Sequence, residues 1–228
     1  MSERIFLIDG TAFAYRSFFA IRGLTNSDGM PTNAVFGFAR VLTKILRDHA
    51  PSHIAMVFDA PGKTFRDDLY PAYKAQRPPT PEDLISQLPL IDEVVDAMNI
   101  PVVRIAGVEA DDVIGTLARR AEAAGMEVTL VTGDKDALQL VTDHIKVFDP
   151  YKNNTGLWYG PAEVKERFGV PPEHVVDVMA LMGDTADNVP GVKGIGEKTA
   201  RALLESRLSL ENLYADLDSL KGKQKERL

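Results

Sequence analysis

Through the first 150 residues, short and mostly apolar runs bounded by turn residues alternate with stretches in which apolar positions recur every three or four residues. The runs at 5–8, 54–58, 102–105, 128–131 and 145–148 predict strands, most of them with the continuous apolar character of strands buried on both faces. Between them, Val35, Phe38, Ala39, Leu42, Ile45 and Leu46 keep a 3.6-residue period after a cap at Thr32 or Asn33. Leu84, Leu88, Ile91, Val95 and Met98 form a second helical stripe. Ala110, Val113, Ile114, Leu117, Ala118 and Ala121 form a third, with Gly125 as its stop. Strand and helix alternate, which predicts an α/β fold: a mostly parallel sheet with helices on both faces. Beyond residue 150 the pattern changes to short helices at 161–168, 173–182, 197–205 and 210–217, so that half reads as all-helical. The expected division is an α/β core over 1–150 and a helical region over 151–228.

With 228 residues and 45% hydrophobic content, the chain can bury a substantial core. No apolar stretch nears the ~18 residues of a membrane span, and Met1-Ser2-Glu3-Arg4 leads into a run too short for a signal peptide. A cytoplasmic protein that avoids membranes is expected. Cysteine is absent, which excludes disulfides, thiolate nucleophiles and cysteine-type zinc sites and leaves oxygen as the expected metal donor. The net charge of −7 argues against indiscriminate nucleic-acid binding, since phosphate binding needs local positive charge. Locality changes that picture. Residues 61–79 hold Lys63, Arg66, Lys74 and Arg77 against Asp67 and Asp68, a local charge of +2. Residues 191–207 hold Lys193, Lys198, Arg201 and Arg207 against Glu197 and Glu205, again +2. The first of these stretches lies in the one long irregular segment, 60–81, and loops of that length in compact domains are usually functional or disordered. The chain closes on Lys221-Gly222-Lys223-Gln224-Lys225-Glu226-Arg227-Leu228, which carries no terminating pattern and reads as part of something longer.

Open α/β sheets bind ligands beyond the carboxyl ends of their strands, and acids stand at those positions. Asp9 follows the first strand, Asp59 the second, and Asp134 and Asp136 the fourth; Glu109, Asp111 and Asp112 open a helix, and Asp184 and Asp187 lie three apart in a turn. Each has a bland reading: a turn at Asp9-Gly10, a response to the helix dipole at 109–112, caps at Asp134 or Asp184. Nine carboxylates on one rim, however, would repel one another unless cations neutralised them. Magnesium and manganese prefer oxygen ligands and suit a rim with no histidine nearby. Two such ions ~4 Å apart can activate a water and stabilise the leaving oxygen of a phosphoryl displacement. His49, His53, His144 and His174 do not pair in metal-ligand spacing, and Trp158 reads as packing. No GxGxxG, Walker loop or GxSxG elbow is present.

Several motifs occur together in a recognisable order: Ile8-Asp9-Gly10 with Tyr15-Arg16, Val57-Phe58-Asp59-Ala60, Thr64-Phe65-Arg66, Tyr73-Lys74 and Arg77-Pro78-Pro79. They continue through Gly107-Val108-Glu109-Ala110-Asp111-Asp112, Thr132-Gly133-Asp134-Lys135-Asp136, Leu181-Met182-Gly183-Asp184, Asp187-Asn188 and 191–200. From residue 4 to about 215 this resembles the 5′ nuclease domain of bacterial DNA polymerase I, a PIN-like fold, and no acidic motif position departs from the pattern. The resemblance implies a flap-endonuclease-type enzyme that removes 5′ flaps and RNA primers and acts as a 5′→3′ exonuclease in replication and repair. It implies that Asp9, Asp59, Glu109, Asp111 and Asp112 mainly serve one Mg²⁺ or Mn²⁺, and Asp134, Asp136, Asp184 and Asp187 a second. By the same match Lys74 and Arg77 contact the scissile phosphate at the base of a helical arch over 60–81, Tyr73 stacks on a base, and Tyr15, Arg16 and Arg66 face the substrate. Read without the resemblance, basic groups interleaved with Phe65, Tyr70 and Tyr73 suit a single strand, since rings stack bases while cations track phosphates. A solvated surface loop is the alternative.

The stretch Gly191-Val192-Lys193-Gly194-Ile195-Gly196-Glu197-Lys198-Thr199-Ala200 can present backbone amides at a helix start to a phosphate. In the family this is a helix-hairpin-helix element, here within 188–217, which holds a monovalent cation such as K⁺ against the duplex backbone. A plain helix-to-helix turn is the alternative. The resemblance further implies a monomer bound to DNA at single-strand/duplex junctions in the bacterial nucleoid, and it is compatible both with a polymerase domain in the same native chain and with a stand-alone nuclease. Two rivals remain: a catalytically silent DNA-binding module of the same fold, which predicts gaps among the nine acids, and a PIN-type RNA nuclease, which would lack the hairpin.

Overall fold

The structure, a computed structural model, describes residues 3–153, 155–220 and 222–228; Met1 and Ser2 of the start considered above and Lys221 of the basic tail lie outside the described residues. The chain forms two compact units. One comprises residues 1–65, 78–137 and 144–158, the other residues 66–77, 138–143 and 159–228. The boundary expected near 150 therefore compares with one at 158/159, and most of the 60–81 segment groups with the helical unit.

In order, the elements are β1 (Arg4–Asp9), α1 (Gly10–Ala20), α2 (Asn33–His49), β2 (His53–Val57), α3 (Phe65–Leu69), α4 (Glu82–Ile85), α5 (Leu88–Ala97), β3 (Val102–Val103), α6 (Ala110–Ala123) and β4 (Glu127–Val131). A 3₁₀ turn at Asp136–Leu140 leads to β5 (Ile145–Asp149), β6 (Leu157–Tyr159), α7 (Pro161–Phe168), α8 (Val175–Met182), α9 (Glu197–Leu204), α10 (Leu210–Ala215) and α11 (Lys223–Arg227). The sheet runs β3-β2-β1-β4-β5-β6, and β1 pairs in parallel with β2 and β4, β2 with β3, and β4 with β5. β1 is central and covered on both faces, which is why Phe6, Leu7 and Ile8 are fully buried and its sequence shows no alternation.

Three details differ from the pattern. The Asp9-Gly10 pair is not a turn but the junction of β1 with α1, an unexpected helix whose first N–H groups are capped by the Asp9 carboxylate through Ala12 N at 2.9 Å. The stripe from Leu84 to Met98 splits into α4 and α5, because Pro89 near the start of α5 has no N–H to continue the ladder. β6 interrupts the region read as all-helical.

The start of α2 also has a source that no local pattern contains. Thr32 occupies the cap position without a side-chain bond, and the fully buried Gln87 accepts from the N–H groups of Ala34 (2.8 Å) and Val35 (3.2 Å) instead. Its amide donates to Asn33 Oδ1 and Asp83 O, and Asn33 donates to Phe18 O and Ile21 O, so one saturated polar network joins α1, α2 and the α4–α5 turn beside Phe13, Phe38 and Leu84. Gln87→Leu leaves those two helix N–H groups unpaired and is expected to cost about 3 kcal/mol, read as a lower midpoint of urea unfolding.

In the helical unit α8 packs on α9, with Val178, Leu181, Ala200, Leu203 and Leu204 buried. Gly183 and Gly191 meet backbone to backbone: a Cβ on either would lie 2.3 Å from the other's nitrogen. That contact pinches off the loop carrying Asp184 and Asp187, which the Asp184–Val189 pair of hydrogen bonds closes at 2.8 and 2.7 Å. Gly191→Ala is expected to destabilise this unit by more than about 2 kcal/mol, measured as loss of amide-exchange protection across 181–192.

Candidate metal centre and phosphate-binding elements

The strand order reverses about β1, so the carboxyl ends of β1 and β4 form a topological switch point, the usual place for a ligand in an open α/β sheet. Asp9 ends β1 there and is 5% exposed. Its Oδ2 accepts from the Thr132 hydroxyl at 3.0 Å, and Thr132 Oγ1 accepts from Asp134 N at 3.1 Å. Beyond β2, Asp59 N donates to Thr11 Oγ1 at 2.9 Å, and Asp59 Oδ1 accepts from Ala110 N at 2.8 Å, which brings the α6 N-terminus with Glu109, Asp111 and Asp112 alongside. Asp112 accepts from Glu109 N at 3.0 Å and Asp134 from Asp136 N at 2.9 Å. Asp112 thus bonds the N–H of the residue that caps α6, and Asp134 bonds the first N–H of the 3₁₀ turn. Among the described residues no three carboxylates or histidines converge closely enough to grip an ion.

Asp9 nonetheless shows what the rim does to charge. Burial pushes its carboxyl from 3.8 up to about 6, against the Ala12 N–H and the Thr132 hydroxyl, and the neighbouring Asp59 and Asp134 push it further in the same direction. A buried carboxylate whose ionisation two nearby acids oppose is one that a hard divalent cation would neutralise.

In the helical unit, Asp187 collects three groups of the 66–77 segment. Tyr73 donates its hydroxyl to Oδ2 at 2.9 Å, Lys74 Nζ lies 3.8 Å from Oδ2, and the Arg77 guanidinium bonds Oδ1. Bonds to backbone carbonyls follow the same line: Lys74 N donates to Asp187 O, and the side-chain amides Gln76 Nε2 and Asn188 Nδ2 donate to Thr185 O and Ala186 O and to Ala72 O respectively. Asp184 turns inward on its own loop and accepts from Ala186 N. Arg66 lies half-buried in α3, and Tyr15 on α1 hydrogen-bonds Thr80 at 2.5 Å, just past the segment.

Residues 4–169 match the 5′-3′ exonuclease N-terminal resolvase-like domain, and residues 170–228 match the 5′-3′ exonuclease C-terminal SAM fold. The chain belongs to the 5′-3′ exonuclease family. It is 48% identical over 225 residues to thermostable DNA polymerase I of Thermus thermophilus, covering 99% of this chain and 26% of the relative. To DNA polymerase I of Bacillus subtilis (strain 168) it is 46% identical over 232 residues, 100% of this chain and 26% of the relative. The chain thus spans about a quarter of the length of the curated relatives it matches. Among solved structures, T5 5′-exonuclease with divalent zinc bound aligns with 98% of this chain and 82% of its own at TM-score 0.73 and 24% identity. The catalytic core of Rad2 in complex with DNA substrate aligns with 99% of this chain and 71% of its own at TM-score 0.63 and 18% identity. These two likenesses establish the fold.

Within this 5′-3′ exonuclease fold Lys193, Gly194, Gly196 and Lys198 are exposed in and just before the first turn of α9, with Thr199 half-buried. The two glycines differ. Gly194 has φ +80° and a Cβ there would meet the Arg227 guanidinium at 2.7 Å, whereas Gly196 has ordinary backbone and open space around it. Gly196→Ala therefore meets no clash and is expected to cost only the ~1 kcal/mol of a less favoured N-cap residue at α9, so that a larger loss of duplex affinity than of stability reports close approach of a phosphate backbone. Equal dependence on duplex length for parent and mutant would show that the hairpin does not grip DNA. The described residues contain no helix long and apolar enough to cross a membrane.

Proposed function

We propose that this chain is a structure-specific 5′ nuclease, hydrolysing phosphodiesters of DNA at 5′ single-strand/duplex junctions, including flaps and RNA primers, with 5′→3′ exonuclease action. The observation that carries the reading is the buried Asp9 carboxylate at the switch point, pressed by Asp59 and Asp134. Asp9, Asp59, Glu109, Asp111 and Asp112 would hold one Mg²⁺ or Mn²⁺; Asp134 and Asp136, with Asp184 and Asp187 on the strength of their sequence motif, would serve a second. When bound, such ions lower the pKa of a water and neutralise charge on the leaving oxygen. The chain's own groups do the rest. Lys74 and Arg77 stabilise charge on the scissile phosphate, Tyr73 stacks on a base, and Arg16 and Arg66 hold the strand. The hairpin over 188–217 holds the duplex backbone without reading sequence, with K⁺ as its expected ion. The 1–150 core with its 60–81 arch and the 151–228 region would act as one monomer.

The test is product mapping on a labelled 5′ flap. Cleavage is expected with Mg²⁺ or Mn²⁺ and not with EDTA, while Ca²⁺ supports binding alone, because its looser coordination places the attacking water poorly. Full activity in EDTA would sink the reading, and binding without cleavage under any metal would favour the silent module.

A further inference from the structure

One buried acid at the carboxyl end of a strand has no part in the roles above. Asp149 ends β5, beside β4, and is 2% exposed. Its Oδ1 accepts from Arg16 Nη1 at 2.8 Å and from Tyr151 N at 3.0 Å. The Arg16 guanidinium lies 5.3 Å from the centre of the Tyr151 ring, and on another side it rests against Gly133, where a Cβ would come within 2.1 Å of Nη1. A carboxylate, a ring face and a bare glycine therefore form a socket around a head that still keeps 39% of its side chain exposed. Gly133 immediately precedes Asp134, and Arg16 projects from the helix that Asp9 caps. The guanidinium is thus fixed beside the acids of the β1 and β4 ends, with most of its five N–H donors unused by Asp149.

A plain structural brace between α1 and the end of β5 is the competing explanation. That brace already exists by other means: Tyr151 Oη bonds the Ser17 hydroxyl at 3.0 Å and Phe13 O at 3.3 Å, and its ring packs edge-on against Phe13 at 5.1 Å. An additional brace has no need of a cationic side chain that stays 39% exposed, whereas a phosphate contact does.

We propose that Asp149 is a positioning residue that acts through Arg16, holding its guanidinium where it meets a phosphate of the bound strand. This rests on the reading of Arg16 as a substrate-binding residue. Asp149 itself never touches DNA. A long, rotamer-rich side chain gains its effect on a reacting strand from being placed before the strand arrives, and a shift of ~1 Å in such a group can cost about 10²-fold in rate.

The test is a double-mutant cycle on a 5′ flap with Mg²⁺, under single-turnover conditions, using Arg16→Ala, Asp149→Asn, the pair, and Gly133→Ala. Asp149→Asn keeps shape and the acceptor for Tyr151 N while removing the charge. Gly133→Ala displaces the guanidinium without substituting any acid, and its melting temperature should fall no further than that of Arg16→Ala, which loses the same ion pair. Expected is a fall of about 10- to 100-fold in rate for each single variant, with the pair no slower than Arg16→Ala alone. Flap binding in EDTA should weaken about two- to fivefold in Arg16→Ala and Asp149→Asn, and no further in the pair. If Asp149→Asn slows the Arg16→Ala protein as much as it slows the parent, or if Gly133→Ala cleaves at the parental rate, the positioning role is overturned while the reading of Arg16 stands. If Arg16→Ala itself cleaves and binds like the parent, that reading falls and the proposal with it. Should Asp149→Asn not fold, Gly133→Ala decides the matter alone.

Discussion

Replacing Asp9 by asparagine is expected to abolish nearly all Mg²⁺-supported cleavage, by about 10³-fold or roughly 4 kcal/mol, and at the same time to stabilise the metal-free protein. The two effects share one cause. Asp9 is 5% exposed and its carboxyl is raised from 3.8 to about 6, so between pH ~4 and ~6 the folded chain holds a proton that the unfolded chain has already released. Stability attached to that proton is fully present below pH ~4 and is lost as pH rises through ~6, with an upper bound near 3 kcal/mol. Asparagine carries no charge to bury, and its Oδ1 can still accept from Ala12 N, so it escapes most of that loss. At pH 7.5 in EDTA, Asp9→Asn should melt several degrees above the parent, about 4–8 °C for a gain near 2 kcal/mol in a chain this size. At pH 4 the two should coincide. Saturating Mg²⁺ should raise the parent's midpoint more than the variant's, since an ion bound only to the folded state adds stability by mass action. A variant that is less stable than the parent at pH 7.5 would show that the Asp9 carboxylate is a structural cap and nothing more.

Much of the α/β half was legible because burial on both faces writes itself as apolar runs. β1, β2, β4 and β5 lie within a residue of the expected limits. What escaped depends on contacts between distant residues. α1 is packed on one side by β1 and on another by α2, so its apolar residues do not fall on a single stripe, and Asp9-Gly10 looks like a turn unless one knows that the strand runs straight into the helix. The cap of α2 comes from Gln87, more than fifty positions away, and no spacing rule near Thr32 could reveal it. β3 is shorter than its apolar run suggests; Arg104 leaves the strand to pair with Asp92 and lie over the Phe58 ring. At the site, the rule that selects acids beyond strand ends finds Asp9, Asp59 and Asp134, and applied once more at β5 it reaches Asp149. Thr132, which links Asp9 to Asp134, carries no such signal, since a lone threonine after a strand is ordinary.

Lys74→Ala is expected to slow cleavage about 10²-fold under single-turnover conditions while leaving flap affinity within about twofold, because a donor aimed at developing charge can be worth about 3 kcal/mol whereas one phosphate contact among many adds little to binding. The surroundings make alanine the right probe. Lys74 has φ +54°, a left-handed conformation that strains any residue with a Cβ, and its N–H donates to Asp187 O at 2.9 Å. Alanine keeps both the strain and the backbone bond, so only the ammonium is lost, while glycine would also relax the backbone. That ammonium is 25% exposed along its side chain, lies 4.8 Å from the centre of the Tyr73 ring and stands 3.8 Å from Asp187 Oδ2. A half-buried cation held by a ring and a carboxylate is placed in advance, which is the condition for contributing to rate more than to binding. The rival account makes Lys74 a brace for Asp187, with Tyr73 and Arg77 as its companions on the same carboxylate. A brace predicts that Lys74→Ala and Asp187→Asn lower the melting temperature alike and leave the single-turnover rate at saturating Mg²⁺ near the parent's. The proposed role predicts the reverse: a small change in melting and a large one in rate, with Lys74→Arg, which keeps the charge, recovering the rate to within about tenfold.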